Sequence, residues 1–430
     1  MKIRVARLPA STLLRRAALA YLIVWVLSPP LAYGAMWRFI ALSAMVTWLL
    51  LELAAPRSVL LKPSWPVLGT VVFLGYTAFV EWLVPDAGEI SRHFQIWIMF
   101  FFLLVGESLG RGRDGDARLC FWLVLLVLPI WSIATLRGIE TIAVDVARTI
   151  SRSSDEARTL AGQGVGGYGF VYTVLLCLPF LAWFATRPRS AAATMGARGW
   201  RRRGVMTLLM LNFLLGYLLL LRAGYTIGLV LAAIALCLVL LVRARGGLRL
   251  AISLSLSAML VLLAAFALRP ALDGLQGAAA GTEYAAKVRD VRRSLDEDQS
   301  TGTVGDRAER YQRSMRLALE NPVMGTLTFD HVGKHSAALD RYAQYGFVIG
   351  TLFLLLLVYL PWRFVRDRRV PFGPALAFLA VALAFPLLNN VFMSWGLILY
   401  VFSRGALAVM GIPLQRERRL GHAPGVPAHA

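Results

Sequence analysis

The sequence predicts an all-α fold: a polytopic transmembrane bundle of about twelve helical spans, with a helical cap in one large loop on its outer side. Three observations carry this reading. Apolar residues make up 58% of the 430 and charged residues only 16%, with a mean hydropathy of +0.64, too apolar for a set of soluble domains. Apolar runs of about 17–22 residues recur, each long enough as a helix to cross a hydrocarbon layer of about 30 Å. Short alternating segments of the kind a barrel needs are not seen. Finally, the basic residues are unevenly shared between alternate loops, as the positive-inside rule requires.

Taken in order, Lys2, Arg4, Arg7, Arg15 and Arg16 precede the first apolar run. That arrangement could pass for a signal peptide, but eleven further runs follow, so a retained first helix is expected. The spans fall at about 17–34, 38–55, 65–84, 94–110, 119–137, 164–186, 205–221, 225–242, 249–268, 346–363, 372–390 and 391–409. Asn389-Asn390 separates the last two, either as a tight turn or as a break within a longer hairpin. With the N-terminus inside, the inner segments hold more than half of the 45 Lys and Arg residues, densest at Arg187 to Arg203, Arg363 to Arg369 and Arg416 to Arg419. Arg38 and Arg92 stand almost alone on the short outer loops. An even number of spans puts both termini in the cytoplasm.

The chain therefore divides into N-terminal spans (1–268), a large outer loop (269–345), C-terminal spans (346–415) and a tail (416–430) whose composition reads as disordered. A second, shorter outer segment covers about Gly138 to Gly164. Within the large loop, Glu283 to Asp298 and Gly305 to Asn321 look helical. Asp306 lies near the start of the second, and Pro322 and Gly325 just past its end. The net charge of +21 does not imply a nucleic-acid partner, because the arginines are scattered over many loops and form no basic domain. Cys120, Cys177 and Cys237 all lie in or beside apolar runs and read as packed, inert thiols.

Candidate chemistry gathers in the outer loops. His331-Val-Gly-Lys-His-Ser-Ala-Ala-Leu-Asp-Arg-Tyr-Ala-Gln-Tyr-Gly346 sets imidazoles, cations and a carboxylate just before an apolar run. A loop histidine is most often only a polar surface residue. His331 and His335 are four apart, a spacing that suits a metal only on a helix, and Gly333 argues against one. Asp296-Glu297-Asp298 has the form of a metal motif but reads as a solvated helix end, so no metal site is expected. His93 sits at the outer start of a span, and His422 and His429 lie in the tail. Arg222 interrupts a long uncharged stretch where the chain reverses on the outer side. It reads either as an arginine snorkelling to the interface or as a cation at headgroup level. Arg307 and Arg310 share one face of a helix, and a guanidinium fork matches phosphate oxygens.

Together these residues resemble the O-antigen polymerase and O-antigen ligase superfamily. The resemblance rests on Leu221-Arg222-Ala223-Gly224, on Gly305-Asp-Arg-Ala-Glu-Arg-Tyr311, on Glu320-Asn-Pro-Val-Met-Gly325, and on Lys334-His-Ser-Ala-Ala-Leu-Asp340 with Gly346. It covers about residues 205–365 well and the N-terminal half only as a generic bundle. The segment Gly162 to Tyr168 lacks the asparagine often found there in relatives. The resemblance implies a metal-independent glycosyltransferase of the bacterial inner membrane with no cofactor, acting on the periplasmic face on an undecaprenyl-pyrophosphate-linked oligosaccharide. It implies His335 as general base on the acceptor hydroxyl, Arg222 and Arg307 on the donor pyrophosphate, Arg310 and Lys334 as further substrate-binding residues, and Asp340 as a group that orients a neighbour. Membrane lipid and a polysaccharide chain-length regulator protein are the partners it suggests.

His335-Ser336, Leu339-Asp340 and Tyr345-Gly346 look more like the polymerase branch, since ligases more often follow the histidine with asparagine. The ligase alternative shares the donor and differs in its acceptor, a lipid A-core sugar; a protein O-oligosaccharyltransferase is a further variant. From another class, a lipid-linked saccharide transporter or flippase would bury charges within its spans and repeat its halves. Here Glu52, Glu81 and Glu107 lie at span ends and no halves recur, which favours an enzyme.

Overall fold

The computed structural model describes residues 9–84, 87–142, 146, 150, 155–187, 199–223, 225–243, 245–266 and 302–413. The expected helix Glu283 to Asp298, the acidic triplet 296–298 and the tail lie outside the described residues. Among the described residues the fold is all helical. In chain order the helices are α1 (Ala10–Leu27), α2 (Pro29–Tyr33), α3 (Ala35–Leu53), α4 (Trp65–Leu83), α5 (Ala87–Leu109), α6 (Asp114–Thr141), α7 (Asp155–Gly162) and α8 (Tyr168–Thr186). There follow α9 (Gly199–Ala223), α10 (Thr226–Leu241), α11 (Gly247–Phe266), α12 (Gly302–Glu320), α13 (Ala337–Arg366), α14 (Phe372–Leu388) and α15 (Met393–Val409), the last with a π turn at Leu397–Phe402.

Among the described residues, seven helices are long and apolar enough to cross a membrane: α1, α3, α4, α6, α8, α9 and α13. Shorter apolar helices occur at His93–Leu109, Ile227–Leu241, Gly247–Ser257, Phe372–Leu388 and Met393–Val409. By length and composition the chain is a multi-pass helical membrane protein. Leu68, Val71, Val72, Phe79 and Trp82 of α4 and Phe39, Leu42, Val46 and Leu50 of α3 are exposed, a surface that suits lipid and would be a liability in water.

Helices α8 and α15 form the centre. The apolar window of α8 is 83% buried, and α15 packs against α5 and α6. Small residues allow that approach: a Cβ on Gly396 would lie 2.1 Å from the Met99 carbonyl oxygen, and one on Gly106 2.5 Å from that of Tyr400. Around this centre, α13 packs on α14, α14 on α10, α10 on α8, α8 on α9, and α9 on α6, while α4 closes against α13 and α5.

Two boundaries differ from expectation for backbone reasons. The first span ends at Leu27 instead of near 34, because Ser28 is extended and Pro29-Pro30 starts the separate short α2; proline is costly inside a helix but suits its first turn. The span expected from 346 is continued toward the N-terminus by Ala337–Tyr345, with a break at Gly346 (φ 74°, ψ 179°).

The carboxylates at span ends are paired. At one end Glu52 accepts from Arg113 and Ser108, and Asp116 from Arg15 and Arg16. Nearby, Glu107 pairs with Arg404 and accepts from Tyr359 and Ser64 at 2.5 and 2.8 Å. Glu81 lies at the other end, against His93.

Candidate functional site

The loop-bearing end of the bundle is built by a lock between two segments. At Gly346 the helix unwinds, which leaves the carbonyls of its preceding turn without helical partners. The strand-like segment after α12 supplies the donors: Thr326 N–H to Ala343 O at 2.8 Å and Leu327 N–H to Gln344 O at 2.9 Å, with Phe347 N–H returning to Pro322 O at 2.8 Å. A Cβ on Gly325 would meet the Gln344 backbone at 2.4 Å, and one on Gly346 the Val323 carbonyl at 2.2 Å. Both glycines have positive φ, so the Pro322 to Gly325 turn and the Tyr345-Gly346 pair form one unit.

The loop from Asp330 to Ser336 lies on α12. A Cβ on Gly333 would fall 2.1 Å from the Arg310 carbonyl oxygen, and the Gly333 amide donates to Ser314 Oγ at 2.8 Å. Ser314 donates in turn to Asp340 Oδ1 at 2.7 Å, and the Asp340 amide donates to Ser336 O at 2.8 Å. Asp340 is completely buried, and through Ser314 its carboxylate is linked to the Gly333 amide of the loop before His335. Lys334 holds φ at 61°, a left-handed conformation that costs a non-glycine residue about 1–2 kcal/mol. Such strain persists where surrounding contacts enforce it, and here Asn390 Nδ2 donates to the Lys334 carbonyl at 2.8 Å.

The end of α14 is the seat for this loop. Besides the Asn390 contact, Pro386 O accepts from Ser336 Oγ at 3.3 Å, Asn389 O from the Ala337 amide at 3.0 Å, and Leu388 O from Tyr311 Oη at 2.7 Å. Asn389-Asn390 is thus an extended break between α14 and α15. Asparagines at such a break between apolar spans were the available signal for this seat.

His335 is half-buried, and Arg307 and Arg310 stand close enough to act on its charge. Burial, then Arg310, then Arg307 hold its pKa below the ordinary imidazole range, opposed by backbone hydrogen bonding at Lys334 and the Asp306 carboxylate. The imidazole is therefore neutral at neutral pH and able to accept a proton. Arg307 hydrogen-bonds Tyr311, whose phenol is pushed above its ordinary value mainly by burial. A polar cleft of about 360 Å³ opens beside this group, lined by Arg310, Lys334, Arg313, Asp306, Glu309 and Asp330. Lys334 Nζ lies 3.8 Å from Asp330 Oδ1.

The structure thus gathers His335, Arg307, Arg310, Lys334 and Asp340. Arg222 ends α9 on the same end of the bundle, exposed. Tyr225, three residues on, stacks on Tyr168 at 4.4 Å and lies 5.4 Å from Tyr172. The Tyr172 hydroxyl accepts from Asn389 Nδ2 at 3.0 Å, which links the Arg222 turn to the seat of the His335 loop. His331 is exposed. Among the described residues no three His, Cys, Asp or Glu side chains gather where they could hold a metal ion.

Comparison with known protein families, curated proteins and solved structures finds no match.

Proposed function

We propose that this protein is a membrane glycosyltransferase of the O-antigen polymerase kind. It moves a glycan from undecaprenyl pyrophosphate onto a sugar hydroxyl of another lipid-linked repeat unit, at the periplasmic face of the bacterial inner membrane. The bundle crosses about twelve times, with both termini cytoplasmic. The observation that carries this reading is a half-buried imidazole beside two guanidiniums that disfavour its protonation, at the mouth of an apolar bundle.

In the proposed step His335 accepts the proton of the acceptor hydroxyl as its oxygen attacks the anomeric carbon of the donor. The bond from that carbon to the diphosphate oxygen breaks, and undecaprenyl diphosphate leaves with the electron pair. Displacement from the opposite face inverts the anomeric centre. Arg307 and Arg222 hold the diphosphate, whose negative charge grows as it departs; fixed cations in a partly water-excluded site lower that barrier. Arg310 and Lys334 face the polar cleft, where the incoming saccharide binds. The chemistry needs no metal or cofactor.

The test is the product formed by purified protein from a defined undecaprenyl-pyrophosphate-linked repeat unit, with and without lipid A-core. A ladder of longer lipid-linked glycans without lipid A-core is expected. Product only on lipid A-core would make the protein a ligase. Movement of unchanged substrate across vesicles would make it a transporter.

A further inference from the structure

On the far side of the helix that carries Asp340 lies a buried chain of polar groups for which the transfer step has no use. We propose that Glu81, His93 and Tyr345 form a positioning relay that fixes the rotation of the segment Ala337–Tyr345, and through it the presentation of His335. Its role in transfer rests on the proposed glycosyltransferase reading; its effect on the loop does not.

His93 is 1% exposed and Tyr345 fully buried. His93 Nδ1 lies 2.8 Å from Glu81 Oε2, and Nε2 2.5 Å from Tyr345 Oη. Arg341, 8% exposed, donates to Tyr345 Oη at 3.4 Å and to Gln344 Oε1, with its guanidinium 4.9 Å from the centre of the Phe329 ring. The distances make a continuous chain in which Arg341 donates to the Tyr345 hydroxyl, that hydroxyl shares a hydrogen bond with His93 Nε2, and His93 Nδ1 pairs with the Glu81 carboxylate.

The relay has something to position. Ala337–Tyr345 is nine residues long and ends at the Gly346 break, so helical hydrogen bonding does not carry its rotation over from the span beyond, which it meets through Tyr342 at Thr351 and Phe347. A helix this short has little stability alone. Asp340 and Arg341 are consecutive and point about 100° apart. Asp340 is tied to Ser314 and the His335 loop, whereas Tyr345, on the face it shares with Arg341 four residues earlier, is tied to α4 and α5 through Phe73, Tyr76 and His93. Apolar packing would tolerate a range of rotations. A directional chain of hydrogen bonds does not, and leaving any member unmatched in a buried site is costly.

The experiment compares the full-length wild type with Tyr345→Phe, which keeps the ring against Phe73 and Tyr76 and removes only the hydroxyl. Backbone hydrogen exchange of residues 331–340 is measured in nanodiscs, together with transfer kinetics. Exchange there is expected to rise about tenfold while α8 and α15 keep wild-type protection. A kcat loss of about tenfold or more is expected at unchanged KM for the lipid-linked donor, as for a misplaced reacting group. Asp340→Asn added to Tyr345→Phe should cost less than the two losses combined, because both act through one helix. Glu81→Gln, which still accepts from His93, should retain more activity than Glu81→Leu. Unchanged exchange over 331–340, or strictly additive losses, overturns the relay. A wild type that transfers no glycan overturns the enzyme reading instead, and the exchange data still decide the relay.

Discussion

Gly346→Ala strikes the lock on which the whole loop end depends. Gly346 sits at φ 74° and ψ 179°, a region that only glycine adopts readily; forcing alanine into it costs about 1–3 kcal/mol. The new methyl would also lie 2.2 Å from the Val323 carbonyl oxygen, so one of the two backbones must move. Three backbone hydrogen bonds cross this contact, each with a net contribution of about 1 kcal/mol. The expected loss is thus about 4–6 kcal/mol of local stability. Displacing the loop by about 1 Å would lower transfer about a hundredfold. The assay is thermal unfolding of solubilised protein beside transfer rate, with Gly75→Ala as control, since nothing lies within 4 Å of a Cβ there. Wild-type stability and rate in Gly346→Ala would refute the lock.

Other consequences follow from the same geometry. Arg310 helps hold the His335 pKa down, and the base proposed for the transfer is the neutral imidazole. Arg310→Gln should therefore raise that pKa and move the acid limb of the pH–rate profile to higher pH; an unmoved limb would separate the two residues. Arg307→Lys keeps the charge but loses the fork of donors, so transfer should fall at least about tenfold; full activity would return Arg307 to the helix surface. Arg404 is buried against Glu107, and Arg404→Met, by leaving that carboxylate without its cation, should cost about 3–5 kcal/mol in thermal unfolding. Wild-type unfolding would show that Tyr359 and Ser64 suffice for Glu107.

The apolar runs made the helical bundle legible, because a membrane span needs a length and a composition that no local exception hides. The helix expected at Gly305 to Asn321 is found at Gly302–Glu320, since its end is written in Pro322 and Gly325. The short helix Ala337–Tyr345 was less visible: its residues mix polar and apolar types, and its stability comes from contacts with α12, α14 and α5. Long-range partners were not legible at all. His93 and Tyr345 are 252 positions apart, and no local pattern pairs them. A weaker signal was present, because ionisable groups near apolar spans are costly unless matched. Glu81 and His93, on facing ends of successive spans, were candidates for one another on that ground. Asp340, read as a group that could orient a neighbour, accepts from Ser314, which in turn accepts from the Gly333 amide, a partnership 26 positions apart that no local pattern announces.

The most direct measurement is transfer by His335→Ala at saturating lipid-linked donor, with donor binding determined on the same sample. Donor affinity near that of the wild type with no glycan lengthening is expected, because the arginines proposed to hold the diphosphate remain and the proposed proton acceptor is gone. Lengthening at a rate close to wild type would contradict the assignment of His335 as the base.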